Sequence, residues 1–224
     1  MNENTFTIRG AQAIDGTGSK PQRNDLLVKD GVIAKYGFIL KGEEEGRVVD
    51  GSGLVLTPGF IDMHSHSDLA VLSDPEHLSK VTQGVTLEVL GQDGLSYVPS
   101  SDESLEVLRE QLYGWNGDPK GVSWNFHSVA EYLNEVDKGA PVNVAYLIPH
   151  GSVRMLVRGN VAGLSSPSEL KEMEHLVETG MQEGAVGLSA GLTYIPAMYA
   201  DDAELIALCQ IGRASCRERV LASV

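Results

Sequence analysis

Cysteine is scarce in this chain, with only Cys209 and Cys216, both near the C-terminus. Neither has the spacing of a zinc ribbon or of a disulfide framework, so a small stapled fold is excluded and the redox compartment stays open. Basic charge is also short. Lys and Arg number 17 against 31 Asp and Glu, for a formal charge of −14, and no Lys/Arg cluster interleaves with aromatic residues. A nucleic-acid or anionic-membrane surface is therefore not expected, and the expected partner is a small molecule. No apolar run approaches the roughly 20 residues of a spanning helix. The opening "MNENTFTIRG" lacks the basic start and apolar centre of a signal peptide, so the expectation is a cytoplasmic protein without a membrane segment.

What is present is ordinary globular material. The chain has 224 residues, 42% hydrophobic and 21% charged, which is enough to bury a core. Residues 1–53 read as a small β unit: "FTIRGAQAID", then "DLLVKDGVIAKYG", in which Asp30-Gly31 sits between two apolar stretches as a hairpin turn. From residue 54 the rhythm changes to apolar strand, turn and amphipathic helix, the pattern of parallel βα units. The strands are read at Leu54–His66, Thr86–Gly91, Asn143–His150 and Ala185–Leu192. Ser166-Pro167-Ser168-Glu169 supplies an N-cap, a proline in the first turn and a capping-box glutamate for one helix. Ser100 with Glu103, and Asp201 with Glu204, make the same argument for two others, while 114–127 reads as a loop. Such units close as a barrel or stay open as a doubly wound sheet. The first strand is followed by no G-x-G-x-x-G, which removes the dinucleotide-binding version of the open sheet. In either architecture ligands sit at the C-terminal ends of the strands.

His64 and His66 stand at such an end, in "PGFIDMHSH". On a strand, residues i and i+2 share a face with Cα atoms about 6.6 Å apart, so two imidazoles can converge on one metal ion. An isolated H-x-H is otherwise an ordinary polar loop pair. Two ligands are too few for a catalytic ion, which usually takes three from protein.

"GLVLTPGFIDMHSHSDL" resembles the first barrel strand of the amidohydrolase superfamily, and "DLLVKDGVIAKYG" with "RVVDGSG" resembles the β-sandwich segment that leads into it. Within that superfamily, "VTQGVTLEVLGQDGLSYVPS", "NVAYLIPHGSVR" and "EGAVGLSAGLTYIPAMYADDAELIALC" are similar to the N-acyl-D-amino-acid deacylase branch. The resemblance implies an α/β fold: the N-terminal half of a (β/α)8 TIM barrel over residues 54–210, preceded by a small β-sandwich segment. It also implies a metal-dependent hydrolase, with zinc the expected divalent ion, that cleaves the amide of an N-acylated D-amino acid.

By that resemblance His64 and His66 are metal ligands. Where better-known members have Asn-Cys-Gly, with a ligating cysteine, this chain has Gln92-Asp93-Gly94. Asp93 is then the candidate third ligand, a harder donor than a thiolate, and it stands equally as an Asp-Gly turn residue. Glu88 is the reserve carboxylate. Tyr194, in "GLTYIPAMY", matches a position near the substrate pocket and reads equally as a packing tyrosine. His150 could line the same mouth or be a satisfied polar residue beside a turn; His175 reads as solvated, and His77 and His127 offer no pattern. Residues 185–196 contain no lysine, which counts against the hydantoinase-like variant with its carboxylated lysine. Another amide or cyclic-amide hydrolase, or a non-catalytic half-barrel, remain the alternatives.

Four of eight strands are legible, and the family's later histidines and its general base are expected beyond the chain end, so turnover by this chain alone is not expected. "IGRASCRERV" looks like the translation of a sequencing adapter, and 211–224 are read as a non-native tail, with a genuine basic tail as the alternative.

Overall fold

A computed structural model describes residues 4–221, with side chains described as far as Ile211. The chain divides into two compact units, Met1–Gly59 and Phe60–Val224.

The first unit is one sheet of five strands: β1 (Phe6–Ala13), β2 (Gln22–Lys29), β3 (Val32–Gly37), β4 (Arg47–Asp50) and β5 (Val55–Leu56). The order is β3-β2-β1-β4, with β5 also on β1; β1, β2 and β3 run antiparallel, and β4 and β5 run parallel to β1. The hairpin between β2 and β3 turns on Asp30 and Gly31, both at positive φ, as a two-residue turn matched to strand twist requires. These strands form a single layer. Val32, Ile33, Tyr36 and Phe38 are exposed on it.

The second unit is built on four parallel strands in sequential order, β6 (Phe60–Asp62), β7 (Val85–Leu90), β8 (Asn143–Pro149) and β9 (Gly187–Ser189). This is a half-barrel sheet of the α/β kind expected. Around it lie α1 (Ala70–Ser73), α2 (Leu78–Val81), α3 (Asp102–Asn116), α4 (Val129–Val136), α5 (His150–Arg158), α6 (Pro167–Glu183) and α7 (Asp202–Leu221). The core runs between sheet and helices through Leu90, Tyr146 and Ile148 on strands and Leu108, Tyr132, Met173 and Val177 on helices, each at most 1% exposed.

Several boundaries differ from the sequence reading. The stretch Leu54–His66 is not one strand: β5 ends at Leu56, β6 begins at Phe60 and ends at Asp62. Pro58 between them has no N–H to give a ladder. After β6 the Asp62 carboxylate accepts the backbone N–H of His64 at 3.2 Å, a local bond that turns the chain out of the sheet. The cap of α3 is Ser101 rather than Ser100, in a reciprocal box with Ser104 (3.2 and 2.8 Å). The helix then runs through Gly114 to Asn116, into the stretch read as loop. The strand read to His150 ends at Pro149, and His150 opens α5. The cap of α6 is as read, Ser166 with Glu169 and Pro167 in the first turn. Asp201 accepts the Glu204 N–H at 2.9 Å at the start of α7. Of the stretch read as a non-native tail, Ile211 packs against the core; the side chains after it lie outside the described residues.

Candidate metal centre

Three donors meet where β6 and β7 end. Nε2 of His64 lies 3.5 Å, and Nε2 of His66 3.3 Å, from the same carboxylate oxygen of Asp93. The ligating atoms of the three residues all fall within 4.8 Å of one another. A tetrahedral ion with bonds near 2.1 Å separates its donors by about 3.4 Å, so two imidazoles and one carboxylate at these spacings fit a divalent ion. His64 is the open side of the group, 57% exposed against 28% for His66 and 34% for Asp93.

The histidines reach this point from a bent segment past the strand, so strand alternation is not what aligns them; their rings stand edge-on, centroids 5.3 Å apart. Asp93 is carried by a 3-10 turn, Gln92–Gly94, in which its φ is +54°, a left-handed conformation that Asp tolerates better than most residues. The turn is entered through Gly91 at φ +73°, where a Cβ would meet the Leu147 carbonyl oxygen at 2.1 Å. Its far side touches the end of β9: a Cβ on Gly94 would come within 2.7 Å of the Gly191 nitrogen, and one on Gly191 within 2.0 Å of the Asp93 carbonyl oxygen. Ser189 donates to the Gly91 carbonyl and accepts the Gly94 N–H (3.0 Å).

An aromatic wall stands beside the donors. The Trp115 ring lies 4.5 Å from that of His66 and 5.3 Å, edge-on, from that of Tyr194. Tyr194 is thus brought to the neighbourhood of the group without being one of its donors. Trp115 gave no sequence signal, since it lies in a turn-rich stretch whose first residues belong to α3.

Glu88, the reserve carboxylate, points elsewhere. It is fully buried and accepts from Ser65 (2.6 Å), Ser67 (2.9 Å) and Lys80 (2.9 Å), with Nε2 of His77 at 2.6 Å. Burial pushes its carboxyl up, but the bonds from Ser65, Lys80, His77 and Ser67 outweigh it and hold the group below the ordinary glutamate range. His77, for which the sequence offered no pattern, is part of this buried cluster. His150 does not line the mouth: it is buried and pairs at 2.7 Å with Glu204, which also accepts from Arg154 and Ser165. His127 lies 3.2 Å from Asp102, and His175 is exposed. Among the described residues no helix is long and apolar enough to cross a membrane.

The chain has relatives among known proteins. The chain is 35% identical over 206 residues to the N-acyl-D-aspartate deacylase of Alcaligenes xylosoxydans xylosoxydans, covering 92% of this chain and 40% of that protein. It is 34% identical over 204 residues to the D-aminoacylase of the same organism, covering 91% and 41%. Among solved structures, the N-acyl-D-glutamate deacylase of Bordetella bronchiseptica, complexed with zinc and a phosphonate mimic of the tetrahedral intermediate, superposes with a TM-score of 0.79 at 32% identity, covering 92% of this chain and 42% of that one. The chain therefore spans about 40% of the length of the curated relatives it matches. Residues 47–223 match the amidohydrolase family, a span that takes in both histidines, the Asp93 turn and the whole parallel sheet, and the chain belongs to that family.

Proposed function

We propose that this chain carries the first ligands of a metal-dependent deacylase of N-acyl-D-amino acids, with His64, His66 and Asp93 holding a divalent ion, zinc by preference. The observation that carries the reading is the meeting of two imidazole nitrogens and one carboxylate oxygen at 3.3 and 3.5 Å, just past the C-terminal ends of two strands of a parallel sheet, the end at which ligands of such folds bind. The N-acyl-D-amino-acid deacylases among its relatives, one of them solved with zinc, support both the substrate class and the metal. A divalent ion bound there supplies Lewis-acid chemistry, polarising an amide carbonyl and making water a better nucleophile at neutral pH.

The chain's own residues do the rest of what is proposed here. His64, the most exposed of the three donors, faces the open side. Trp115 and Tyr194 flank the His66 side and offer flat apolar surface to a substrate, with the Tyr194 hydroxyl as a hydrogen-bonding tip. Hydrolysis also needs a general acid and base, and no residue of this group is assigned that part. Turnover is proposed for the whole protein and not for these 224 residues alone.

Titration of the chain with Cu2+, followed by tryptophan fluorescence, tests the reading. The Trp115 ring lies 4.5 Å from His66, so saturable quenching is expected at one equivalent. It should be lost in Trp115→Phe, where Trp124 remains, and shifted to much higher copper in His64→Ala. Amine release from N-acetyl-D-amino acids should be absent in the same samples. Quenching indifferent to His64 would overturn the site, and His64-dependent turnover would overturn the need for further groups.

A further inference from the structure

The three donors sit on two segments, residues 63–68 after β6 and residues 91–94 after β7, and the two are tied to each other by polar side chains running in both directions. From the β7 side, Glu88 accepts the hydroxyls of Ser65 and Ser67, the residues that alternate with His64 and His66. Gln92, next to Asp93, donates to the Met63 carbonyl oxygen at 2.8 Å. From the β6 side, Asp68 accepts the Gly91 N–H at 3.1 Å and the Ser96 hydroxyl at 2.6 Å, on either side of the Asp93 turn. Glu88 and Asp68 are at most 2% exposed and Ser65 is 4% exposed, so the Ser65–Glu88 and Ser96–Asp68 bonds are shielded from water, while Ser67 is half-buried. Lys80 closes the group by reaching Glu88, Ser65 (3.0 Å) and Asp62 (2.5 Å), and Asp62 in turn holds the His64 N–H.

We infer that Glu88 and Asp68 form a reciprocal latch that holds the two ligand-bearing segments in register before any ion arrives, with Glu88 the positioning residue for His64 and His66 and Asp68 the positioning residue for Asp93. The inference rests on the reading of those three residues as ligands. Its physical basis is that past the end of a strand, in an irregular segment, no repeating backbone sets the direction of successive side chains. His64 and His66 lie past the last ladder pair of β6, Asp62 with Glu88. Their imidazoles stay convergent only if the residues that alternate with them are fixed, and both of these, Ser65 between the histidines and Ser67 after them, are bonded through their hydroxyls to one buried oxygen, Oε1 of Glu88. Partners that orient ligands in this way are worth about 10- to 100-fold in metal affinity.

The test uses the full 224-residue chain and Co2+, read by its visible absorption and by competition with a chromophoric chelator. A second reading is amide hydrogen exchange of residues 63–68 and 91–96 in the metal-free protein. Two latch variants are compared with His64→Ala. Glu88→Gln removes the buried charge. Ser65→Ala with Ser67→Ala leaves Glu88 paired with Lys80 and His77, so no buried charge is orphaned if the first variant folds poorly. Both should bind Co2+ about 10- to 100-fold more weakly, with a changed absorption band. The serine double variant should exchange at least about tenfold faster at 63–68 without metal, with a smaller rise at 91–96. Failure of the wild-type chain to bind Co2+, or His64→Ala binding as well as wild type, overturns the site and with it the purpose of the latch. Binding lost in His64→Ala but unchanged in the folded double variant, with exchange at 63–68 unaltered, overturns the latch alone.

Discussion

Nε2 of His66 lies 3.3 Å from Oδ2 of Asp93, although the two residues belong to segments that follow different strands. On the proposed ligand set, residue 93 is the point at which metal preference should be changeable. A carboxylate is a hard donor and a thiolate a soft one. Asp93→Cys is expected to raise affinity for Cd2+ relative to Mn2+ by at least about tenfold, measured by chelator competition. Asp93→Asn, which tolerates the same left-handed backbone, serves as the control that keeps the turn and removes the charge. Unchanged relative affinity in Asp93→Cys would remove residue 93 from the ligand set.

Acid stability should be governed in part by Glu204. Burial opposes its ionisation, but the bonds from His150, Arg154 and Ser165 outweigh burial and bring its pKa from 4.5 down to about 2. Below about 4.5 the unfolded chain binds a proton that the folded chain refuses, so this contribution is complete above that pH and drains away as pH falls toward about 2. Urea midpoints measured from pH 6 downward should fall across that window in the wild type and fall less steeply in Glu204→Gln. At pH 7 the variant should be less stable by about 3–5 kcal/mol, since it leaves Arg154 buried without its counter-charge. Parallel pH profiles for the two proteins would rule out this role.

Two glycines should respond in opposite directions to alanine. Gly91 combines a φ of +73° with a carbonyl oxygen 2.1 Å from where a Cβ would go. Gly91→Ala is therefore expected to cost at least about 3 kcal/mol. Gly114 lies inside α3 with nothing within 4 Å of its would-be Cβ. Gly114→Ala should stabilise by about 0.5–1 kcal/mol, through helix propensity and unfolded-state entropy. Thermal or urea unfolding of the two variants checks both, and a mild effect at Gly91 would mean that the turn can shift.

The parts of the fold that were legible are those specified by local chemistry. Asp30-Gly31 fixes a hairpin, Ser166-Pro167-Glu169 starts a helix, and apolar runs mark four parallel strands. The helix α4 carries an equally plain box, Ser128 with Glu131, and could have been read. The helix α5 could not, since it begins without a side-chain cap at Pro149 and contains Gly151 and Ser152 in its first turn. At the site, His64, His66 and Asp93 were visible as motif residues. The roles of Glu88, Asp68, Ser65 and Ser67 were not, because each depends on a partner more than twenty residues away. Period-two reasoning also misjudged how the histidines align, since the Asp62 turn ends the strand before either is reached.

The backbone contact between Gly94 and Gly191 sets what mutational change at this centre can achieve. Neither glycine has room for even a methyl group, and on the other side Gly91 is closed in the same way. A randomised library across residues 91–94 and 191 should therefore return functional members diverse at position 93 and nearly invariant at the glycines. On the proposed ligand set, new metal chemistry should be within reach of a single codon, whereas moving the carboxylate by one residue would require the ends of three strands to be rebuilt together.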